Sequence, residues 1–201
     1  MSIFDRNVPG MTEVLRRSSV GIAGCGGLGS NAALALTRAG IGRLILADFD
    51  KVEESNLNRQ QFTRADIGKP KVATLARNLK AINPDLRVDE HSVELSPANL
   101  AGVFREADLL IEAFDKAEAK KWLVATWCQA FPGRHVVCGN GLAGYGGNEA
   151  LKVTRLGDFI WFCGDNESDM SLGLCSARVA IAANMEANLA IELLMKHRHE
   201  T

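Results

Sequence analysis

The sequence predicts an α/β fold with a doubly wound, mixed but mainly parallel sheet and helices on both faces. Short apolar runs alternate with longer segments of helical periodicity, which is the pattern of parallel strands joined by crossover helices. A glycine-rich turn lies between the first apolar run and the first helical segment, as in Rossmann-like nucleotide-binding folds. Beyond Gly139 two further strand-like runs could extend the sheet in mixed fashion.

Each element has a local signal. Ser96 followed by Pro97 predicts a helix start, because serine caps helices and proline suits the first turn. The last helix carries enough apolar residues to bury one face. We predict strands at residues 19–23, 43–48, 86–93, 109–113, 135–138, 150–155 and 159–163, and helices at residues 28–39, 71–82, 96–105, 117–130 and 176–196.

Length and composition indicate one domain. The chain has 201 residues, of which 47% are hydrophobic, and this is enough to bury a substantial core. We expect a single domain over residues 1–201, with an N-terminal arm at 1–18 and an acidic loop at 164–175.

Charge and cysteine content exclude several classes of protein. A net charge of −1 gives no bulk attraction for nucleic acid or a membrane surface. No segment approaches the roughly 20 apolar residues of a membrane span, so we expect a cytoplasmic location. The five cysteines are scattered and form no Cys-x-x-Cys pair, and we expect no disulfide framework and no structural zinc.

The glycine turn predicts an anion site. Gly24 and Gly26 can adopt positive φ and let backbone N–H groups approach a phosphate. The helix that begins at about Gly27 adds unpaired donors and a partial positive charge. The residues assigned to this site are Gly24, Gly26, Gly27, Leu28 and Gly29.

Charged residues at the strand ends distinguish possible ligands. Asp48 ends the second strand, where a carboxylate can accept the ribose hydroxyls of either a dinucleotide or ATP. Arg59 and Lys71 follow within one crossover, and two cations beside the turn favour a triphosphate, although each alone could be an ordinary surface charge. Asp115 follows the fourth strand and could hold Mg²⁺, cap the next helix, or do both.

These residues and their neighbours match a known family in order and spacing. The sequence resembles the ThiF/MoeB/ubiquitin-activating superfamily of ATP-dependent adenylyltransferases. The combination of Ile82-Asn83-Pro84 and Gly141-Leu142-Ala143-Gly144-Tyr145-Gly146 looks most like the short ThiF branch that acts on the sulfur carrier ThiS. The matching motifs are Gly24-x-Gly26-Gly27-Leu28-Gly29, Asp48-x-Asp50, Ser55-Asn56-Leu57-Asn58-Arg59-Gln60, Gly68-Lys69-Pro70-Lys71-Val72 and Ala113-Phe114-Asp115.

The resemblance implies adenylation of the C-terminal glycine of a ubiquitin-fold sulfur carrier ending in Gly-Gly. The branch resemblance favours thiamine biosynthesis, and molybdopterin synthesis or another sulfur-transfer route stays open. By the family pattern, Asp48 and Asp50 belong to the nucleotide site and Asn56 orders it. Arg59 and Lys71 would bind the phosphates and Asp115 would hold Mg²⁺.

Two further roles follow from the same resemblance. Arg6 resembles the arginine that the family supplies across a homodimer interface, with a solvated surface charge as the alternative. Cys175 lies where some relatives carry a reactive cysteine, and it could instead be buried.

Two other functions stay open. An NAD-dependent oxidoreductase would share the glycine turn and the strand-end acid, but the sequence offers no His or Tyr-Lys set for proton transfer. A non-catalytic nucleotide-binding scaffold for a carrier protein would use the glycine-rich segment 141–147 and the acidic loop as docking surfaces.

Overall fold

A seven-stranded sheet organises the chain in the computed structural model, which describes residues 2–197. The strands are β1 (Ser19–Ala23), β2 (Arg43–Ala47), β3 (Arg87–His91), β4 (Leu109–Glu112), β5 (Val136–Gly139), β6 (Lys152–Leu156) and β7 (Ile160–Gly164). Their order across the sheet is β3-β2-β1-β4-β5-β7-β6, and every pairing is parallel except the β6–β7 hairpin at one edge. The predicted mixed, mainly parallel sheet is confirmed.

Helices cover both faces of this sheet. They are α1 (Met11–Arg16), α2 (Gly27–Ala39), α3 (Lys71–Ile82), α4 (Leu100–Val103), α5 (Ala117–Ala130) and α6 (Ser176–His197). One buried cluster joins α1, α2, α3 and α6 to the sheet, and a second joins α4 and α5 to the opposite face. The doubly wound arrangement is therefore confirmed as well.

The prediction was wrong about the length of one helix. We predicted a helix over residues 96–105, but α4 contains only Leu100–Val103. The side chain of Asn99 accepts a hydrogen bond from the backbone N–H of Ser96 at 2.8 Å, and the N–H groups of Asn99 and Leu100 both bond to the Ser96 carbonyl. A turn closed by Asn99 therefore replaces the first helical turn, because asparagine competes for backbone donors.

The N-terminal arm is partly helical. It contains α1, whose Leu15 is fully buried in the first cluster. Leu15 also accepts the N–H of Gly42 at 2.8 Å, so the arm is joined to the connection between α2 and β2. No helix among residues 2–197 has the length and apolar character needed to cross a membrane.

The core on the α5 face depends on Trp127. This side chain is fully buried, its ring packs 4.6 Å from that of Phe131, and its indole N–H donates to the Arg134 carbonyl at 3.3 Å. Trp127→Ala should lower the free energy of unfolding by about 3–5 kcal/mol in urea denaturation, because it removes packed surface and leaves a cavity. The control Tyr145→Ala, at a side chain that is 87% exposed, should change it by less than about 0.5 kcal/mol. Equal losses in the two variants would contradict this assignment.

Candidate functional site

A cleft of about 960 Å³ opens at the carboxyl ends of β1, β2, β4 and β5. In open α/β sheets, ligands bind at this edge where the strand order reverses, and here the reversal falls between β1 and β4. Ten of the twelve predicted site residues line the cleft: Gly24, Gly26, Gly27, Leu28, Asp48, Asp50, Asn56, Arg59, Lys71 and Asp115.

The glycine turn joins the end of β1 to the start of α2. Gly24 adopts a φ of 96°, which favours glycine, and a Cβ there would lie 3.0 Å from the Ala113 carbonyl oxygen. Gly26 adopts a φ of −80°, so of the two turn glycines expected to allow positive φ only Gly24 uses it. Gly26 caps α2 without a side chain, and the first N–H groups of the helix therefore face no capping group.

Gly29 does not line the cleft. A Cβ at Gly29 would lie 1.8 Å from the carbonyl oxygen of Gly24, which is far closer than atoms can approach. Gly29 therefore allows α2 to pack against the turn, and its predicted direct role in nucleotide binding has no support from its position. Sequence alone did not separate this packing role from binding, because both require the same residue.

Asp48 connects the glycine turn to the loop after β2. Its carboxylate accepts the Cys25 N–H at 2.7 Å and the Asp50 N–H at 2.8 Å, one on each oxygen. An ionised carboxylate can accept about four hydrogen bonds, so acceptor capacity remains for a sugar hydroxyl. The geometry is compatible with the ribose role predicted for Asp48.

Lys71 is a buried cation at the wall of the cleft. It begins α3, is 6% exposed, and its Nζ lies 2.8 Å from Oδ2 of Asp50. The Lys71 N–H also donates to the Asp50 carbonyl at 2.9 Å. A buried ammonium needs a partner, and Asp50 supplies it in this structure. Asp50 therefore contacts the cation directly.

The loop carrying Arg59 is held by local hydrogen bonds. Asn56 is buried and accepts the Glu53 N–H at 3.1 Å, which closes a short 3₁₀ turn. Arg59 Nη1 donates to the Ser55 carbonyl at 3.1 Å and to the Asn58 side chain at 2.7 Å. Asn31 of α2 donates to the Arg59 carbonyl at 2.8 Å. This loop therefore positions the guanidinium beside the cleft.

Asp115 is exposed within the cleft, in the loop between β4 and α5. The N-cap of α5 is Lys116, and no side chain caps the helix. The helix-capping alternative for Asp115 is therefore wrong, whereas an exposed carboxylate in the cleft is a suitable magnesium ligand. Arg6 is exposed and lies outside the cleft, and its role across a subunit interface stays a prediction.

The sequence analysis missed several cleft residues. Gln60 is 8% exposed, and its Nε2 lies 3.7 Å from the position of a Cβ on Gly26. Lys120 also lines the cleft and forms an ion pair with the fully buried Glu112 at the end of β4. The spacing of Lys116 and Lys120 on one helix face, directly after Asp115, is the signal that could have identified this second cationic wall.

The acidic loop at residues 164–175 is held in place by a side chain of α6. Arg178 of α6 donates to Asp165 at 2.5 Å and to the carbonyl of Gly146, and so joins this loop to the glycine-rich segment. Burial would raise the pKa of Asp165, but hydrogen bonds from Ser168, Glu167 and Arg178 lower it to about 2. The sequence showed the acidic residues but gave no indication of their partner on α6.

The end of this loop reaches the cleft. Asn58 donates to the Leu174 carbonyl at 3.2 Å, and Leu174 is a cleft residue. The next residue, Cys175, is exposed, so the alternative that it is buried is wrong. Its reactivity stays a prediction.

Comparison with known proteins shows the family of this chain. The model of the ThiF family matches residues 4–201. The chain belongs to the ThiF family. It is 29% identical over 226 residues to ubiquitin-like modifier-activating enzyme 5 of Drosophila virilis, covering 98% of this chain and 54% of that protein. It is 40% identical over 104 residues to the sulfur carrier protein adenylyltransferase of Thermus thermophilus, covering 51% of this chain and 38% of the relative. The chain thus spans about half the length of the first of these relatives, and the aligned segment covers less of the second.

Solved structures share the fold. The tRNA N6-threonylcarbamoyladenosine dehydratase TcdA of E. coli superposes with a TM-score of 0.86 at 24% identity, covering 95% of this chain and 91% of that one. TcdA has also been solved in complex with ATP, and MccB of E. coli with ATP superposes with a TM-score of 0.74 at 23% identity, covering 92% of this chain and 58% of MccB. These similarities confirm the Rossmann-like architecture.

Two glycines of the turn should respond differently to an added methyl group. Gly29→Ala should lower the free energy of unfolding by at least about 1–3 kcal/mol, because its Cβ would collide with the backbone of Gly24. Gly26→Ala should leave stability within about 1 kcal/mol, since its Cβ would make only an ordinary contact with Gln60. Urea denaturation of both variants measures the difference, and a stable Gly29→Ala protein would contradict the packing role.

The Asp165–Arg178 pair should stabilise the fold in a pH-dependent way. The pKa of Asp165 falls from an ordinary 3.8 to about 2, so its contribution is present above about pH 4 and is lost as the pH falls toward 2. Asp165→Asn should therefore have a lower free energy of unfolding than the unmodified protein near neutral pH, and this difference should disappear near pH 2. Urea denaturation across this range measures the difference. The exposed control Asp158→Asn should show little difference at any pH. A difference for Asp165→Asn that is constant with pH would contradict the ion pair.

Proposed function

We propose that this protein is an ATP-dependent adenylating enzyme that forms an acyl-adenylate on a carboxylate. The observation that carries the proposal is one cleft that contains a glycine turn at a helix N-terminus, the buried cation Lys71 and the exposed acid Asp115. Membership of the ThiF family, and the solved ATP complexes of proteins with the same fold, support a nucleotide as the ligand.

The reaction needs positioning more than acid or base catalysis. The carboxylate nucleophile is already ionised at neutral pH, so no side chain must remove a proton. A carboxylate oxygen attacks the α-phosphorus of ATP, the bond to the bridging oxygen breaks, and pyrophosphate leaves with that electron pair. Cations and backbone donors stabilise the charge that accumulates on the phosphorus oxygens and on pyrophosphate.

The cleft residues predicted from the sequence have proposed roles in this step. The backbone N–H groups of Gly26 to Leu28, at the start of α2, bind phosphate oxygens, whereas the N–H groups of Gly24 and Cys25 already donate to Ala47 and Asp48. Asp48 accepts the ribose hydroxyls, and Asn56 keeps the next loop in place. Arg59 and Lys71 neutralise the phosphates. Lys71 pairs with Asp50 in this structure, and so Asp50 keeps the cation in the cleft until a phosphate approaches.

Asp115 fits a magnesium site. Mg²⁺ commonly takes one or two protein carboxylates and completes its coordination with phosphate oxygens and water, so one exposed carboxylate in the cleft is sufficient. When bound there, the ion would neutralise charge on the phosphates. Asp115, on the loop between β4 and α5, would be the residue that holds the ion.

The proposed carboxylate belongs to the C-terminal glycine of a ubiquitin-fold sulfur carrier ending in Gly-Gly. Relatives include a sulfur carrier protein adenylyltransferase and ubiquitin-like modifier-activating enzymes, which supports this class of partner. Within the class we propose a ThiS-like carrier and a role in thiamine biosynthesis. We further propose a homodimer in which Arg6 of one subunit reaches the cleft of the other.

ATP–pyrophosphate exchange tests this function. With ATP, Mg²⁺ and a ThiS-type carrier, the protein should return labelled pyrophosphate to ATP. Lys71→Ala and Asp115→Ala should each reduce exchange by about a hundredfold or more, because each removes charge stabilisation from the phosphates.

Matched controls separate these losses from general effects. Lys80→Ala removes an exposed cation on the same helix as Lys71, and it is the control for Lys71→Ala. Asp158→Asn removes an exposed acid that does not line the cleft, and it is the control for Asp115→Ala. Both control variants should keep near-normal exchange. Carrier binding without exchange would support the scaffold alternative. A protein that binds NAD but not ATP in calorimetry would overturn the proposal.

A further inference from the structure

Glu186 is a buried ionisable residue that the proposed reaction does not use. It lies in α6, its exposed fraction is 0%, and neither carboxylate oxygen has a hydrogen-bond partner within the described part of the chain. Buried carboxylates are normally paired or hydrogen-bonded, because burying a charge without a partner is costly. Its environment therefore requires an explanation.

The position of Glu186 depends on Gly139 at the end of β5. A Cβ on Gly139 would lie 2.9 Å from Oε1 of Glu186 and 2.3 Å from Cδ1 of Leu28. The absence of a side chain at this point makes room for the carboxyl group against the backbone of the strand. Gly139 and Leu28 both line the cleft, so Glu186 lies directly behind its floor.

The charges around Glu186 do not balance if it is ionised. Glu112 on β4 is fully buried, accepts the Phe114 N–H at 2.8 Å, and forms an ion pair with Lys120 of α5. Lys120 also attracts Glu186 electrostatically and Glu112 repels it, so one ammonium serves two buried carboxyl groups. A second negative charge would remain uncompensated, which favours the protonated form of Glu186.

Among residues 2–197, no other element packed against Glu186 supplies a compensating cation. Burial raises the pKa of the Cys138 and Cys163 thiols on β5 and β7, so both are neutral. The buried residues of α2 include no ionisable side chain, and α1 keeps Glu13 and Arg16 exposed. Burial also raises the pKa of Glu186 well above its ordinary value, against the opposing attraction of Lys120.

We propose that Glu186 is a positioning residue of the cleft, a neutral carboxylic acid packed behind Gly139 whose ionisation weakens nucleotide binding. The neutral acid fills the space between α6 and the end of β5 without adding charge. The ionised form would place a buried negative charge behind the helix start that receives phosphate. This coupling to the nucleotide rests on the proposed function, whereas the neutral state of the acid does not.

Calorimetric titration with Mg²⁺ and ATP from about pH 6 to about pH 9 tests the coupling. The affinity of the unmodified protein should fall by up to tenfold for each pH unit above the pKa of Glu186, beyond the change shown by Glu186→Gln. The glutamine variant keeps the shape and cannot ionise. Glu192→Gln is the matched control, because Glu192 lies on the same helix, is exposed, and pairs with Lys196; it should follow the unmodified protein.

Identical pH profiles for the unmodified protein and Glu186→Gln would overturn the coupling. Infrared difference spectroscopy provides a second measurement: the unmodified protein should show the carbonyl band of a protonated carboxylic acid at neutral pH, and Glu186→Gln should lack it. Absence of that band would overturn the neutral state. If Glu186→Gln does not fold, Glu186→Met carries the same expectations. If neither the unmodified protein nor Glu186→Gln binds ATP at any pH, the proposed nucleotide site is contradicted. The infrared band would still show whether Glu186 is protonated.

Discussion

The two hydrogen bonds accepted by Asp48 are the interaction on which the candidate site depends. They connect the N–H of Cys25 in the glycine turn to the N–H of Asp50 in the loop after β2. Asp50 in turn pairs with Lys71 at the start of α3. One carboxylate at a strand end therefore determines how the turn, the loop and the buried cation are placed relative to one another. A ligand that spans the cleft contacts groups that are already oriented. Binding therefore loses less conformational entropy of the protein.

The remaining walls of the cleft are supported from outside it. One wall is a loop that is closed by its own hydrogen bonds and carries Asn56, Arg59 and Gln60. Lys120, in another wall, is held by its ion pair with Glu112 at the end of β4. The acidic loop is held by Arg178, which comes from the last helix. Positions distant in sequence thus combine at one edge of the sheet, as the parallel topology requires.

Much of this arrangement could be predicted from local sequence patterns. The apolar runs, the glycine turn and the strand-end acid each carry a short-range signal, and β1, α2 and Asp48 lie close to their predicted positions. The helix over residues 96–105 was overestimated because the side chain of Asn99 competes for backbone donors, which a periodicity argument does not weigh.

Contacts between residues far apart in the chain could not be predicted from the sequence. Nothing near Asp165 indicates Arg178, and nothing near Glu186 indicates the space at Gly139, because both depend on how α6 crosses the sheet. Gly29 shows the same limit in another form, since a glycine needed for close packing and one needed for binding look alike in a motif.

The place of α6 in the chain has a consequence for biosynthesis. The seven strands and the glycine turn all precede it, yet α6 supplies Arg178 to the acidic loop and Glu186 to the floor of the cleft. During translation, a nascent chain that has already paired its strands still lacks these supports. The residues of α6 must therefore emerge from the ribosome before the cleft has these supports.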